Sequence, residues 1–456
     1  MTVESLIANA PALITMFVFF TLIIISYSIQ KLDFVAISLL CCFVAAAITS
    51  FIYGIKFEEF ISADVIEWKV IIIIFSMSII TKIAQDSNIL EFLAVKLFKL
   101  SKGNSKTFFY LLCIITTLLA SIISDVVVVL ILAPVVVRLC HFLKIRSGTY
   151  LLGMTICINI GSIITPFSSG ENIIISTEFS LDTLYFVQYF WFFSFSLLFI
   201  TIFLIEHFIL SKEPKIEENQ KKFVLELIDT DVVIKNKAMF YFNAIAIVAT
   251  ITLFAIVSEI YLVAAISALI MVLVNALVTR VKLSNMLRDI EWEIIFFFIS
   301  LYVVIHCLIV AGFQDIFELL FGGIEIASQD PISAMFTSFG MCLLILVIVS
   351  GLSGFVANTP TALIFIPIVQ ILLDQGIPSV PLFFAFIIGI NLGGNFLPQG
   401  AACDMMTLKI AEDRGVENLN IKRLTKVGAS FAGIHIGISI LYLFLLNWLI
   451  FAFGLV

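Results

Sequence analysis

The sequence predicts an all-α polytopic membrane protein: an inverted repeat of two halves, each with five transmembrane helices, one of them broken, plus a re-entrant helical hairpin. Three observations carry this. The first is composition, since 62% of the 456 residues are hydrophobic, 12% are charged, and apolar runs of membrane-spanning length recur along the chain. The second is a duplicated pattern: Ala120–Pro134 and Gly351–Pro367 each place a polar tip (Ser124-Asp125, Asn358-Thr359) between two apolar arms, with a proline nine residues after Asp125 and after Asn358. The third is the placement of basic residues, which sets orientation.

The elements follow in order. In the first half, helices are expected near 10–30, 33–54 and 67–84, a hairpin over 107–143, a broken helix over 150–178 and a last helix over 184–209. The second half repeats them at 239–257, 259–280, 292–311, 332–373, 380–412 and 428–453. Counterparts reach beyond the tips. Ile66-Glu67-Trp68 matches Ile290-Glu291-Trp292, and placing Asn159 on Asn391 also places Gly161 on Gly393, Pro166 on Pro398 and Glu171-Asn172 on Cys403-Asp404. The segment 150–178 would be about 43 Å long as one helix, more than the hydrocarbon layer requires. Gly161, Pro166 and Gly170 break it, and irregular backbone at that depth has to line a cavity or be buried in protein. The domain reading is 1–210 for the first repeat, 211–238 for a cytoplasmic linker whose charges alternate in sign, and 239–456 for the inverted second repeat.

If each hairpin enters and leaves on one side, each half crosses five times and the halves are oppositely oriented. Of the 25 Lys and Arg residues, 23 then fall on one face and only Lys56 and Lys69 on the other. That face is expected to be cytoplasmic, which makes the protein a multi-pass cell-membrane protein with both termini extracytoplasmic. The basic count is the same for re-entrant and spanning arms; tips this tight favour re-entrant ones. The net charge of −7 argues against nucleic acid as a partner. The first apolar run has neither a basic lead nor a small-residue cleavage site, so no signal peptide is expected. Six of the eight cysteines fall in apolar helices and Cys140 and Cys403 lie beside them, so free thiols are expected rather than a disulfide framework.

Polar groups in hydrocarbon are costly and mark candidate sites. A helix that starts at the bilayer midplane offers unpaired N–H groups to an anion, and one that ends there offers carbonyl oxygens to a cation. Asp125 leads the candidates, because a carboxylate inside the membrane either binds a cation or takes up a proton, and ion coupling needs one or the other. The competing reading is an Asp that only caps the second hairpin arm. Ser124, Asn159, Gly161, Asn358, Thr359, Asn391, Gly393, Gly394 and Asn395 complete the substrate- and ion-binding set at the tips and breaks. Glu171, Asn172, Asp404 and His306 are weaker candidates; His306 and His435 are lone histidines in apolar helices, where packing is the commoner role.

The tips resemble the paired Ser-Asn-Thr hairpin motifs of the ion transporter superfamily, which includes sodium-coupled dicarboxylate carriers, citrate–metal carriers, arsenite efflux permeases and sodium/proton antiporters. Asn391–Gly415 is similar to the Asn-Leu-Gly-Gly-Asn stretch of the arsenite-permease-like branch, and Ser169–Ser176 resembles that branch's first-half break. The resemblance spans nearly the whole chain. It implies a homodimer formed through a scaffold domain, an elevator-like movement of the hairpin-bearing domain, no cofactor beyond Na⁺ or H⁺ as coupling ion, and a Na⁺ site at Ser124, Asp125 and Asn159. Its pseudo-symmetric partner would use Asn358, Thr359 and the break near Asn391–Gly394. The chain departs from the motif at Asp125, Val126 and Ala357, losing hydroxyl ligands and adding negative charge.

Those departures favour a small inorganic ion, of the arsenite or Na⁺/H⁺ exchange type, moved by secondary active transport coupled to H⁺ or Na⁺. A citrate or dicarboxylate carrier is the alternative within the superfamily, and an ion channel is the alternative from another class. An intramembrane enzyme lacks support, since no HExxH, paired-aspartate, Ser/Lys or Gly-Ser-Gly arrangement occurs in the helices, and with no Walker A sequence ATP-driven transport would need a separate partner subunit.

Overall fold

The computed structural model describes residues 3–28, 32–63, 65–213, 234, 236–257, 259–279, 287–288, 290, 292–321 and 330–453. Most of the expected linker 211–238 therefore lies outside the described residues, as do Lys31, Arg280 and Lys282. Described elements are helical throughout, with no strand among them.

The first half runs α1 (Val3–Ser28), α2 (Phe34–Tyr53), α3 (Trp68–Asp86), α4 (Ile89–Leu100), α5 (Ser105–Ala120), α6 (Asp125–Phe142), α7 (Gly148–Gly161), α8 (Gly170–Glu178), α9 (Thr183–Tyr189) and α10 (Trp191–Phe208). The second runs α11 (Lys237–Ile256), α12 (Ile260–Thr279), α13 (Trp292–Val310), α14 (Phe313–Phe321), α15 (Pro331–Val356), α16 (Asn358–Asp374), α17 (Ser379–Gly393), α18 (Ala402–Asp413) and α19 (Ile421–Phe453). The two halves contain similar elements in a similar order, although α9 has no described counterpart in the second half. Both include a short helix after the third span, α4 and α14, which the sequence reading did not anticipate.

Ten described helices are long and apolar enough to cross a membrane. The expected total of ten is met by a different set. The first arm of the second hairpin, α15, qualifies, while α7 and the first-hairpin arm α5 are among the shorter apolar helices. At 26 residues α15 is about 39 Å long, enough to traverse the hydrocarbon, whereas the 16 residues of α5 reach about 24 Å.

The chain divides into two compact units, each drawing on both sequence halves. One comprises Met1–Ile71, Glu291–Gly393 and Ile436–Val456. In it α1, α2 and α13 pack together, and the hairpin α15–α16 packs on α17. The other comprises Ile72–Ile290 and Gly394–His435. In it α5 and α6 flank α7, α18 packs on α6 and α7, and α11 pairs with α12.

Apolar side chains cover the outer faces of α11 and α12, where Ile245, Val248, Leu273 and Leu277 are exposed, as lipid-facing helices require. Between those two helices the buried Asn243 and Asn275 amides donate to each other (3.1 and 2.8 Å), and Asn243 also donates to Ser87 Oγ at 2.7 Å. Such amide pairs stabilise helix contacts in lipid by roughly 0.6–2 kcal/mol.

The two hairpins make a similar glycine contact. A Cβ on Gly161 would lie 2.5 Å from the Thr117 carbonyl oxygen, and one on Gly393 would fall on the carbonyl of Ser350. Gly161 and Gly393 are the glycines that the sequence alignment paired. Each lets the last turn before a helix break lie directly against its hairpin's first arm.

Candidate functional site

In the unit that holds the first hairpin, the three helices that start at the hairpin tip or just after a helix break each carry an acidic residue in the first turn: α6 with Asp125, α8 with Glu171 and α18 with Asp404. A carboxylate there meets the positive end of the helix dipole. Asp125 is half-buried; its Oδ1 accepts from the Val126 N–H at 2.8 Å and lies 3.5 Å from Ser124 Oγ. Asp404 is 2% exposed and accepts the Thr155 hydroxyl at 2.5 Å. Cys403 links them. Its thiol lies 3.8 Å from Asp404 Oδ1 and donates to Asn159 Oδ1 at 3.1 Å, with the carboxyls of Asp125 and Glu171 in its neighbourhood. Asn159 in turn donates to Asn395 Oδ1 at 2.8 Å. No Lys, Arg or His among the described residues pairs with Asp125 or Asp404.

The break between α7 and α8 is held by side chains that replace the lost helix bonds. Asn172 donates to the Ser162 carbonyl and, at 3.4 Å, to that of Thr165. Ser168 donates to the carbonyls of Ser162 (2.5 Å) and Thr165 (2.8 Å). Thr165 reaches the Ser121 carbonyl at the hairpin tip (2.5 Å), and the Trp191 indole donates to Ile164 O at 2.9 Å. Backbone freed inside a membrane needs such partners, so Asn172 serves the break itself.

The second tip belongs to the other unit. A single residue, Ala357, joins α15 to α16, with φ 83° and ψ 156°, a region occupied almost only by glycine. That costs on the order of 1–3 kcal/mol and is a strain of the kind stored at functional sites. Ser353 donates toward Asn358 Oδ1 (2.5 Å) and the Ile390 carbonyl (2.7 Å), tying the tip to α17. Asn391 bonds within its own helix, to Ile387 O at 2.9 Å, unlike its counterpart Asn159, which reaches across to Asn395. Thr359 is half-buried beside Asn358. His306 is half-buried in α13, edge-on to Phe60 at 5.9 Å. His435 is fully buried 2.8 Å from Thr201 Oγ1, whose proton goes to Leu197 O, so His435 Nε2 is the donor.

The structure thus brings Asp125, Asn159, Asn395 and Asp404 together, with Glu171 nearby. Ser124 contacts Asp125, but Asn159 turns its oxygen to Cys403 instead of joining them. Thr155 and Cys403 were missed as site residues. Thr155 lies four residues before Asn159, hence on the same helix face, a signal available in the sequence.

The citrate transporter family model, CitMHS, matches residues 20–344, more than two thirds of the chain. The chain belongs to this family. It is a multi-pass membrane transporter, and the family is the citrate member of the superfamily that the hairpin tips resemble. Among its relatives, an uncharacterized transporter of Mycobacterium tuberculosis is 23% identical, with 93% of this chain and 97% of the relative covered. An uncharacterized transporter of Synechocystis sp. is also 23% identical, with 98% and 99% covered. The YdaH transporter of Alcanivorax borkumensis superposes with a TM-score of 0.51 over 84% of each chain at 10% identity, so the fold is shared with a solved transporter.

Proposed function

We propose that this family member is a secondary active transporter that couples its cargo to H⁺ or Na⁺, with Asp125 and Asp404 as the coupling carboxylates. The observation that carries the proposal is the group of carboxylates around Cys403, in which neither aspartate has a basic partner among the described residues. A carboxylate in a membrane interior without a cationic partner has to carry a proton or a metal cation, and exchanging one for the other, or loading and releasing either, is ion coupling. A polyanion entering such a site needs an accompanying cation. The cargo is accordingly a small inorganic ion or a neutral arsenite-type hydroxide. A second reading, favoured by the family match, is citrate moving together with a cation.

The same proposal includes oppositely oriented halves, a homodimer and an elevator-like movement between the two faces. Intact cells carrying a terminal tag are expected to show the tag labelled by a membrane-impermeant reagent at either end of the chain. Protection of both tags would reverse the orientation.

Coupling is tested in proteoliposomes. Uptake of citrate, phosphate or arsenite is expected to saturate and to accumulate above the equilibrium level under an inward H⁺ or Na⁺ gradient, and to collapse to equilibration when an ionophore dissipates the gradient. Uptake that ignores both gradients, or a non-saturating current, would establish a channel instead.

A further inference from the structure

Cys403, Asn159 and Asn395 form one directional series of hydrogen bonds. The thiol donates to the Asn159 oxygen, the Asn159 amide donates to the Asn395 oxygen, and each residue is at most 2% exposed. The series ends at Asn395 Nδ2, a buried donor with no partner among the described residues. An unmet donor in such a place costs roughly 1–3 kcal/mol, and natural proteins seldom leave one without a purpose. Its direction is set at the thiol: the S–H donates to the Asn159 oxygen, which turns both amides the same way. The end of the series therefore presents hydrogen, and what completes it is an acceptor. Gly428 lets α19 approach the Asn395 backbone closely, since a Cβ there would meet the Asn395 carbonyl oxygen at 2.6 Å.

We propose that Asn395 Nδ2 is the cargo-recognising donor of the site and that the cargo presents an acceptor oxygen to it, as a carboxylate, an oxyanion or an oxyacid does. This rests on the coupled-transport reading and narrows it: the aspartates hold the coupling cation, the amide end holds an oxygen of the cargo, and exchange of bare cations alone would leave the amide unused. Cys403 is a positioning residue that orients the series without touching cargo.

The test uses the purified full chain with citrate, succinate, phosphate and arsenite as probes, read both as a ligand-induced rise in melting temperature and as KM for uptake in proteoliposomes. Asn395→Asp keeps an oxygen that accepts from Asn159 and exchanges the N–H donor for a second carboxylate oxygen with an added charge. Asn395→Ala, which removes the donor without that charge, is therefore measured beside it. Both are expected to raise KM for the transported probe about tenfold or more, while the dependence of uptake on the H⁺ or Na⁺ gradient stays as in the wild type. Asn395→Ser, which keeps one donor, is expected to fall between these and the wild type. If Asn395→Asp does not yield folded protein, Asn395→Ala alone carries the expectation. An unchanged KM in Asn395→Ala, or a change confined to cation dependence, overturns the assignment. A wild type that exchanges Na⁺ for H⁺ and binds none of the four probes overturns it while leaving coupled transport standing. Binding of a probe without any gradient-driven flux does the opposite.

Discussion

Asp125→Asn is expected to abolish gradient-driven accumulation in proteoliposomes while leaving the protein folded. The side chain keeps its shape, and its oxygen can still accept the Val126 N–H that Asp125 now holds at 2.8 Å. What it loses is the ability to take up a proton or to neutralise a bound cation. A charged residue at the centre of a membrane helix costs about 2.5–3.5 kcal/mol on insertion scales, so the neutral isostere should melt at the same temperature or a few degrees higher. Activity and stability are thus expected to move in different directions, which a merely structural capping Asp would not produce. Asp404→Asn is the paired measurement. The Thr155 hydroxyl, 2.5 Å from Asp404 Oδ1, can donate equally to an amide oxygen, so folding is again preserved and coupling is again lost. If Asp125→Asn keeps the wild-type ion dependence while Asp404→Asn loses it, Asp404 alone is the coupling group and Asp125 only caps α6.

Much of this site was legible because its residue types are expensive where they stand. Asp125, Asn159, Asn395 and Asp404 all sit in or beside apolar segments, and polarity at a hairpin tip or a glycine-rich break is visible without coordinates. The spans were legible for a related reason: a helix that crosses hydrocarbon has to be long and apolar, so its composition declares it. The amphipathic α4 and α14 escaped because 12 and 9 residues with charged side chains satisfy neither criterion. Cys403 escaped because a thiol in an apolar helix ordinarily packs as a small hydrophobe. Its role comes from Asn159, a three-dimensional neighbour 244 positions away, together with Asp404 beside it in the chain. The repeat alignment had set Cys403-Asp404 on Glu171-Asn172, but equivalence in a repeat fixes position, not partner. Asn172 ended as the clamp of a break, and Asp404 as an acidic member of the cluster.

The two glycines at the breaks give the other large effect. Gly161→Ala would place a methyl carbon 2.5 Å from the Thr117 carbonyl oxygen, 2.9 Å from the Ala120 Cβ and 3.1 Å from the Thr117 Cα. Two of these three neighbours are backbone, and Ala120 is a helix residue with no rotamer to change, so α5 and α7 have to separate. Overpacking of this kind costs typically 1–3 kcal/mol and more where helices cannot shift. Here separation also pulls on Thr117 Oγ1, which donates to the Cys157 carbonyl at 3.0 Å, and on Thr165, which ties the break to the hairpin tip at Ser121. The expected result is a fall in melting temperature of several degrees together with loss of transport, because the turn that carries Asn159 moves relative to Asp125. Gly393→Ala is expected to act in the same way in the second hairpin, where the neighbour is the Ser350 backbone and the tie to the tip runs through Ser353 and Ile390. Serine at either position should be at least as damaging, since it adds the same carbon. A variant that melts and transports like the wild type would mean that the hairpin arm and the broken helix are not in contact at that turn.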